Sequence, residues 1–417
     1  MRKRVVILGG GTGGTLVANR LRGALGTDEL DIVVVDQDDR HIYQPGLLFV
    51  PFGLAHPNDL VRPRSRQLRA GVAFRQCGVQ RVDLDANEVI LDEDGKLAYD
   101  VLVVASGATL RPEETDGLSE AFLGGSVHTF YSLEGSAALA GALAAFDGGS
   151  VVVNVVDMPI KCPVAPIEFS FLADWYFRER GIRNKVKLTY ATPLDGAFTK
   201  AVCNRELSGL LGRKGVEVVT EFNTGEIDLA ARRLVSFDGR EIAFDLAVVV
   251  PLHGGAAYVD RSVGLGSEFG FVPADEATLQ SKVRSNVFVV GDAADLPVSK
   301  AGSVAHFEGD VVARNVRCFL AGEPLTSRFD GHTNCFIESG FGKALLIDYN
   351  YDTEPVTGRY PSRVGLPLLK ESRLNHWGKL AFQQLYWHGL LPGHDIPGIG
   401  TNMPRAGKDL AALANPK

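Results

Sequence analysis

The residues best suited to chemistry lie in one segment, Met158-Pro159-Ile160-Lys161-Cys162-Pro163-Val164-Ala165-Pro166-Ile167-Glu168. It follows a strand-like run from Gly149 to Val156. In a dinucleotide-binding unit that position normally carries a glycine-rich turn around a pyrophosphate. Here the turn holds one cysteine and three prolines, and no glycine. A cysteine attacks as the thiolate, so such a site needs a way to move protons. Glu168 can do this if burial raises its pKa; a plain helix-N-terminal carboxylate is the competing reading. His128 and His332 are weaker candidates. A second cysteine, Cys335, stands in His332-Thr333-Asn334-Cys335-Phe336-Ile337-Glu338. Cys77, Cys203 and Cys318 read as small packed hydrophobes.

These groups need a scaffold, and the N-terminus supplies its clearest part. Val5-Val6-Ile7-Leu8 reads as a buried strand that runs into Gly9-Gly10-Gly11-Thr12-Gly13-Gly14 and then a helix from about Thr15 to Leu25. Gly9 turns the chain, Gly11 lets backbone N–H groups approach a diphosphate, and Gly14 lets helix and strand pack. The next strand, Asp31 to Val35, ends at Asp36, an acid placed to accept from ribose hydroxyls. His41 to Leu48 reads as a Pro/Gly-interrupted loop, with Gln44 and Pro45 as candidates to lie along a flavin ring. Strand-like stretches run from Val72 to Val79 and from Glu88 to Leu91, and Val79 joins the cofactor-binding set. Tyr99 to Val104 ends in the small residues Ala105, Ser106 and Gly107, which let a cofactor pass closely. Asn286 to Val290 ends in Gly291-Asp292, whose carboxylate suits a ribityl hydroxyl. Lys300-Ala301-Gly302 opens a helix whose N-terminal dipole suits the pyrimidine edge of a reduced flavin. A solvated charge is the competing reading of Lys300.

The expected fold is therefore α/β, with two Rossmann-like dinucleotide-binding domains of the glutathione-reductase kind and a C-terminal membrane-associating segment. The expected parts are a first FAD-binding portion over 1–108, a second Rossmann-like domain with Cys162 over 109–270, a return to the FAD-binding domain over 271–330, and a C-terminal region over 331–417. In the second domain the strand Val186 to Tyr190 ends in Ala191-Thr192-Pro193, with no ribose-reading residue. Two features of a nicotinamide site are thus missing. A hairpin is expected within Lys343 to Tyr349.

The chain has 417 residues, a net charge of -7 and 45% hydrophobic content. That supports a large core in two or three domains and argues against nucleic acid as a partner. No apolar run reaches the roughly 18–20 residues of a spanning helix. Five cysteines are too few for a disulfide scaffold. The start Met1-Arg2-Lys3-Arg4 leads directly into a strand, so a cytoplasmic site of synthesis is expected. No metal site is expected. Residues 361–417 carry seven Lys/Arg (363, 370, 373, 379, 405, 408, 417) against three acids. They also hold Trp377, Leu380, Ala381, Phe382, Leu385, Tyr386, Trp387, Leu390 and Leu391. That composition favours a helix lying on a membrane interface, with docking on the body or on a second subunit as the alternative.

Together these motifs resemble the sulfide:quinone oxidoreductases, among the two-dinucleotide-binding-domain flavoproteins, and most nearly their type III members. The resemblance covers nearly the whole chain. It rests on Gly9-x-Gly11-x-x-Gly14, Tyr99 to Gly107, Lys161-Cys162-Pro163-Val164-Ala165-Pro166-x-Glu168, Gly291-Asp292, Lys300-Ala301-Gly302 and Cys335-Phe336. The Cys162 segment is the most specific. Type II NADH dehydrogenases keep a Gly-rich turn there. The resemblance implies an FAD, a redox pair of Cys162 and Cys335 beside it, sulfide as reductant and a membrane quinone as acceptor. Phe336 and Gly302 match positions lining the quinone pocket. It also implies hydrosulfide attack on the oxidised pair, giving a persulfide and a thiolate, with two electrons passing into FAD. A peripheral place on the cytoplasmic side of a membrane follows, with a homo-oligomer left open. Many relatives carry a third cysteine in a Ser-x-Cys segment, where this chain reads Ser126-Val127-His128. The rival readings are another acceptor on the same scaffold, an NADH:quinone oxidoreductase, and a flavin-binding redox sensor without turnover.

Overall fold

The computed structural model describes residues 2–92, 95–122, 125–396 and 398–410. In chain order, the elements that place the site are β1 (Lys3–Leu8), α1 (Thr12–Ala24), β2 (Leu30–Asp36), β3 (Ala73–Gln76) and β4 (Val101–Val104). Then come β5 (Val127–His128), α2 (Leu133–Ala145), β6 (Gly149–Val155), α3 (Ala165–Glu179), β7 (Val186–Ala191), β8 (Val216–Val219) and β9 (Leu246–Val250). The last are β10 (Val287–Val289), α4 (Gly302–Ala321), β11 (Thr333–Gly340), β12 (Lys343–Tyr349) and α5 (Arg373–Leu385).

Two parallel five-stranded sheets result. The first has the order β10-β4-β1-β2-β3, so a strand from the last third of the chain completes the N-terminal sheet. The second has the order β5-β9-β6-β7-β8. Unbroken runs such as Val5-Val6-Ile7-Leu8 and Leu246 to Val250 are buried throughout. A parallel strand covered on both faces needs that pattern. Helices α1 and α4 pack on one face of the first sheet, where a Cβ on Gly309 would meet Leu16 at 2.5 Å.

The hairpin is longer than the sequence suggested. Lys343–Tyr349 is only its second strand, and β11 is the first, with Cys335 opposite Ile347. Ile337, Leu345, Ile347 and Tyr349 enter the hydrophobic core of the second sheet. Cys335 touches that core and the core of the first sheet as well, so it sits between the two units. The 41–48 region also differs: Gln44–Phe52 forms a 3-10 helix, not an open loop, because its apolar side chains Leu47, Leu48, Val50 and Phe52 have a core to enter. Gln44 and Pro45 stay exposed.

The C-terminal stretch divides in two. α5 begins at Ser372, whose hydroxyl accepts from the Asn375 N–H at 3.1 Å, and shows Leu374, Trp377 and Leu380 to solvent. Beyond it a π-helical turn, Tyr386–Leu390, is docked on the body. Tyr386, Trp387, Leu390 and Leu391 are buried against Tyr43, Leu47, Val50 and Leu60. Those four residues therefore belong to an internal contact rather than to the membrane-facing stripe expected for them. Among the basic residues counted with them, Lys379 and Lys408 are buried in ion pairs, and Lys417 lies outside the described residues. Among the described residues no helix is long and apolar enough to cross a membrane.

Candidate active site

The N-terminal turn has the geometry of a dinucleotide cradle. Gly9 adopts φ +101, and a Cβ there would meet the Ala105 carbonyl oxygen at 2.4 Å. A Cβ on Gly14 would meet the Gly9 carbonyl oxygen at 1.9 Å, so this helix-to-strand approach requires glycine. Gly11, by contrast, faces open space: among the described residues nothing stands within 4 Å of its Cβ position. It is also the N-cap of α1 and makes no side-chain cap, so the first-turn N–H groups remain for an anion. Asp36 sits at the C-terminal end of β2. Its carboxylate accepts from the Gly10 N–H at 2.7 Å and pairs with Arg64 at 3.0 Å. Burial raises its pKa and Arg64 opposes the rise. An acceptor edge for a ribose survives, because a carboxylate takes about four hydrogen bonds.

Further along the cradle, Ala105 is buried, Ser106 shares a hydrogen bond of 3.0 Å with the Tyr258 hydroxyl, and Gly107 turns with φ +70. Just after it, Thr109–Leu110 pairs with His253–Gly254. The His253 Nε2 is buried with no hydrogen-bond partner among the described residues, and burial holds this ring near a pKa of about 3, so it stays neutral. Val79 opens a strand beneath, its carbonyl accepting from Arg261. Gly291–Ala293 is a single 3-10 turn after β10. The Asp292 carboxylate feels Lys300 and Lys161 as charges and accepts no hydrogen bond among the described residues. Lys300 is used differently from the flavin contact expected. It is buried, its ammonium donates to the carbonyls of Asp292 (2.8 Å) and Ala294 (2.9 Å), and it stands 3.8 Å over the Phe271 ring. Open space over Gly11 and Gly302, the unclaimed Asp292 carboxylate and the orphan His253 nitrogen together fit an extended dinucleotide such as FAD.

Both cysteine segments hang from the start of α4. The Cys162 N–H donates to the Lys300 carbonyl at 2.6 Å. The Ser303 hydroxyl donates to the Asn334 carbonyl at 2.6 Å, next to Cys335. Cys162 itself has φ +45, a left-handed conformation that an L-residue adopts only when its surroundings impose it. Those surroundings are visible: its carbonyl accepts from the Ala165 N–H at 2.9 Å and from the Tyr131 hydroxyl at 3.2 Å. Both cysteines are half-buried free thiols. Burial drives the Cys162 pKa well up, and the negative charge of Glu168 and then of Cys335 adds to it. Burial and Glu168 push Cys335 up to about 12. Lys379 opposes both shifts.

Lys379 is the residue that sequence reading placed wrongly. It was counted with surface cations, yet its ammonium forms an ion pair with Glu168 and donates to the Phe336 carbonyl at 3.3 Å. Burial alone would lower its pKa, but Glu168, joined by Cys162 and Glu338, outweighs this and the net shift is upward. Glu168, in the first turn of α3, also accepts from the Glu338 N–H at 2.6 Å. Its pKa is raised by burial, with Lys379 opposing. The Glu338 carboxylate in turn bonds the His376 ring at 2.9 Å. So α5 brings Lys379 and His376 to two buried acids beside the thiols. The only sequence signal was their i, i+3 spacing on a helix whose other face is apolar.

The remaining candidates lie apart or serve packing. His332 bonds Asp348 at 2.8 Å, and Asp348 also pairs with Lys408 at 2.9 Å, the side chains of all three fully buried. The His128 Nε2 lies 3.0 Å from the Gly125 carbonyl. Phe336 packs with Leu346, Tyr360 and Leu368, and a Cβ on Gly378 of α5 would touch its ring at 2.9 Å. Cys203 is wholly buried in the second core. Among the described residues no cluster could hold a metal ion.

Residues 3–149 match the family model described as pyridine nucleotide-disulphide oxidoreductase. The chain is 26% identical over 400 residues to the mitochondrial sulfide:quinone oxidoreductase of Mus musculus, covering 94% of this chain and 86% of that one. It is 28% identical over 397 residues to the mitochondrial sulfide:quinone oxidoreductase of Dictyostelium discoideum, with the same coverage. In fold it superposes on the sulfide:quinone oxidoreductase of the hyperthermophilic bacterium Aquifex aeolicus with a TM-score of 0.79 at 21% identity, covering 94% of this chain and 92% of that one. This chain is thus a homologue of the sulfide:quinone oxidoreductases, built on the pyridine nucleotide-disulphide oxidoreductase fold.

Proposed function

We propose that the protein is an FAD-dependent sulfide:quinone oxidoreductase that oxidises sulfide to sulfane sulfur through Cys162 and Cys335 and passes the electrons to quinone. The observation that carries this reading is the convergence of two thiols from unlinked segments on the start of α4, at the edge of the cofactor cradle. FAD would be held by the Gly9–Gly14 turn, Asp36, the Ala105–Gly107 corner, Asp292 and the start of α4, and when bound it supplies a two-electron acceptor and donor. In the oxidised protein the two sulfurs are joined, directly or through sulfur. Hydrosulfide attack then forms one S–S bond and breaks another, leaving a persulfide on one cysteine and a thiolate on the other. Lys379 stabilises that thiolate, since its charge lowers both thiol pKa values. Glu168, held in a hydrogen bond with the Glu338 N–H, is the acid placed to exchange a proton with the pair.

The quinone is read as lying against Phe336 and Gly302, below α5. The exposed stripe Leu374, Trp377, Leu380 and Leu385 forms the lipid-facing surface, with Trp377 62% and Leu380 50% exposed. Such a stripe on an amphipathic helix lies in an interface rather than across it. NADH as donor is disfavoured because the second turn lacks the glycines a diphosphate needs. Anaerobic titration of the yellow protein separately with sulfide and NADH, then with decyl-quinone, tests the reading. Flavin bleached by sulfide and reoxidised by the quinone is expected, and bleaching by NADH alone would refute it. Flotation with lipid vesicles should be weakened by Trp377→Ala combined with Leu380→Ser.

A further inference from the structure

The stretch after α5 is fastened along α1, the helix whose first turn forms the diphosphate end of the cradle. The Tyr386 hydroxyl lies 2.7 Å from the Thr12 hydroxyl. The Leu391 carbonyl accepts from the Asn19 side chain at 2.7 Å. Arg20 pairs with Asp395 at 3.0 Å, and a Cβ on Gly393 would meet Arg20 at 3.1 Å. Residues 12, 19 and 20 of α1 thus meet residues 386, 391, 393 and 395 in order. The turn at the head of this stretch is π-helical: the Leu391 N–H reaches back five residues to the Tyr386 carbonyl, at 3.0 Å. That rare geometry gathers at functional sites.

Of these contacts one touches the cofactor turn itself. Thr12 is the first residue of α1, where backbone N–H groups have no partner within the helix. Such an end frays unless something holds it. Gly11 before it has no side chain to cap with. Tyr386 supplies the hold from outside. Its hydroxyl also lies 2.7 Å from His41 Nε2, so the Thr12 side chain is tied through one buried oxygen to the segment after β2. His41 and Tyr386 are 1% and 3% exposed. Burial keeps the His41 ring neutral, with a pKa of about 3, and holds the Tyr386 hydroxyl well above its usual range. The link is therefore uncharged across the neutral range.

We propose that Tyr386 is a positioning residue for the cofactor: its hydroxyl fixes Thr12, and with it the first turn of α1, in the shape that receives the FAD diphosphate. The proposal rests on the reading of the Gly9–Gly14 turn as the FAD site. A turn ordered in advance loses less freedom on binding, so the hydroxyl tightens FAD without needing to touch it. Coupling of this kind is reciprocal. Bound FAD therefore holds residues 386–395 against the body, and with them the end of α5.

Tyr386→Phe removes the hydroxyl and keeps the ring between Tyr43 and Trp387. It should raise the FAD dissociation constant of the full-length protein, read by flavin fluorescence, about two- to tenfold, the range of one lost hydrogen bond. In a Thr12→Val background the same change should have no further effect, since its partner is gone. An unchanged dissociation constant in Tyr386→Phe, or an equal loss with and without the Thr12 hydroxyl, would overturn the proposal. Hydrogen exchange of the wild-type peptide 386–395 needs no variant. It should be slower with FAD bound than after FAD is removed, and equal exchange in both states would likewise overturn the role of Tyr386. A wild-type protein that takes up no FAD sinks the reading of the cradle and this role with it. FAD held equally by wild type and Tyr386→Phe sinks the role of Tyr386 alone.

Discussion

The turns after β1 and β6 occupy the same place in two similar units, yet they spend their backbone N–H groups in opposite ways. In the first, Gly11 leaves open space and an uncapped helix start. In the second, the Cys162 N–H is bound to the Lys300 carbonyl and the Ala165 N–H to the Cys162 carbonyl. Where a diphosphate would place negative charge at the N-terminus of α3, the chain supplies its own carboxylate, Glu168, and a cation from α5 to balance it. The second turn closes its N–H groups on the chain itself and sets a cysteine beside a buried ion pair. Each unit also buries an acid. Glu168 has Lys379 as direct partner, whereas Glu308, which accepts from the Gly291 N–H at 2.5 Å, has no ion-pair partner among the described residues and is pushed up to about 8 by burial.

The largest effect should come from the thiols. Cys162→Ser and Cys335→Ser should each slow sulfide-dependent flavin bleaching by on the order of 10³-fold or more, since residues acting as a unit fail together. FAD content, read from the visible spectrum, should be unchanged. If the second turn still bound a nucleotide, bleaching by NADH would survive in these variants.

Lys379→Met should come next. Breaking a buried pair by removing one partner costs about 3–5 kcal/mol, measured as a lower midpoint in urea. Because Lys379 lowers both thiol pKa values, its loss raises them, and the pH profile of sulfide-dependent bleaching should move to higher pH. Adding Glu168→Gln should recover much of the stability, since no unpaired charge is then left. A merely structural lysine would move the midpoint and not the pH profile.

Gly11→Val tests the other turn. A side chain in the open space of the cradle should weaken FAD binding at least about tenfold, or about 1.4 kcal/mol, with far-UV circular dichroism preserved. Retained yellow protein of normal affinity would show that the cofactor does not pass over Gly11.

The last prediction concerns Glu308. A carboxyl whose folded pKa lies above its unfolded value keeps its proton in the native state while the unfolded chain loses it. Stability should therefore fall as pH rises from about 4.5 toward 8. In Glu308→Gln, which mimics the protonated acid, that part of the fall in Tm should disappear.

Much of this was legible beforehand because it is local. Strand, turn, helix and strand are adjacent in sequence around Gly9–Gly14, and the replacement of glycines by Cys162 and prolines is visible without any fold. The docking of Tyr386 and Trp387 was not. A Trp/Tyr-rich helix with basic neighbours reads the same whether its rings meet lipid or protein. Only the packed structure shows the Tyr386 hydroxyl 2.7 Å from both Thr12 and His41, and Trp387 under the Arg62 guanidinium at 4.4 Å. Lys379 was misread for a related cause: one long side chain suits water or a buried carboxylate, and the partner, Glu168, lies on a distant helix.

By itself the sequence determined the two α/β units, the dinucleotide cradle and the thiol in the second turn, since each depends on residues close along the chain and on short-range backbone geometry. The tertiary structure alone decided that Lys379 pairs with Glu168 beside the two cysteine segments and that Tyr386 and Trp387 dock on the body. Those depend on contacts between segments far apart in the chain, whose pairing is selected by burial and by the cost of leaving a buried charge without a partner.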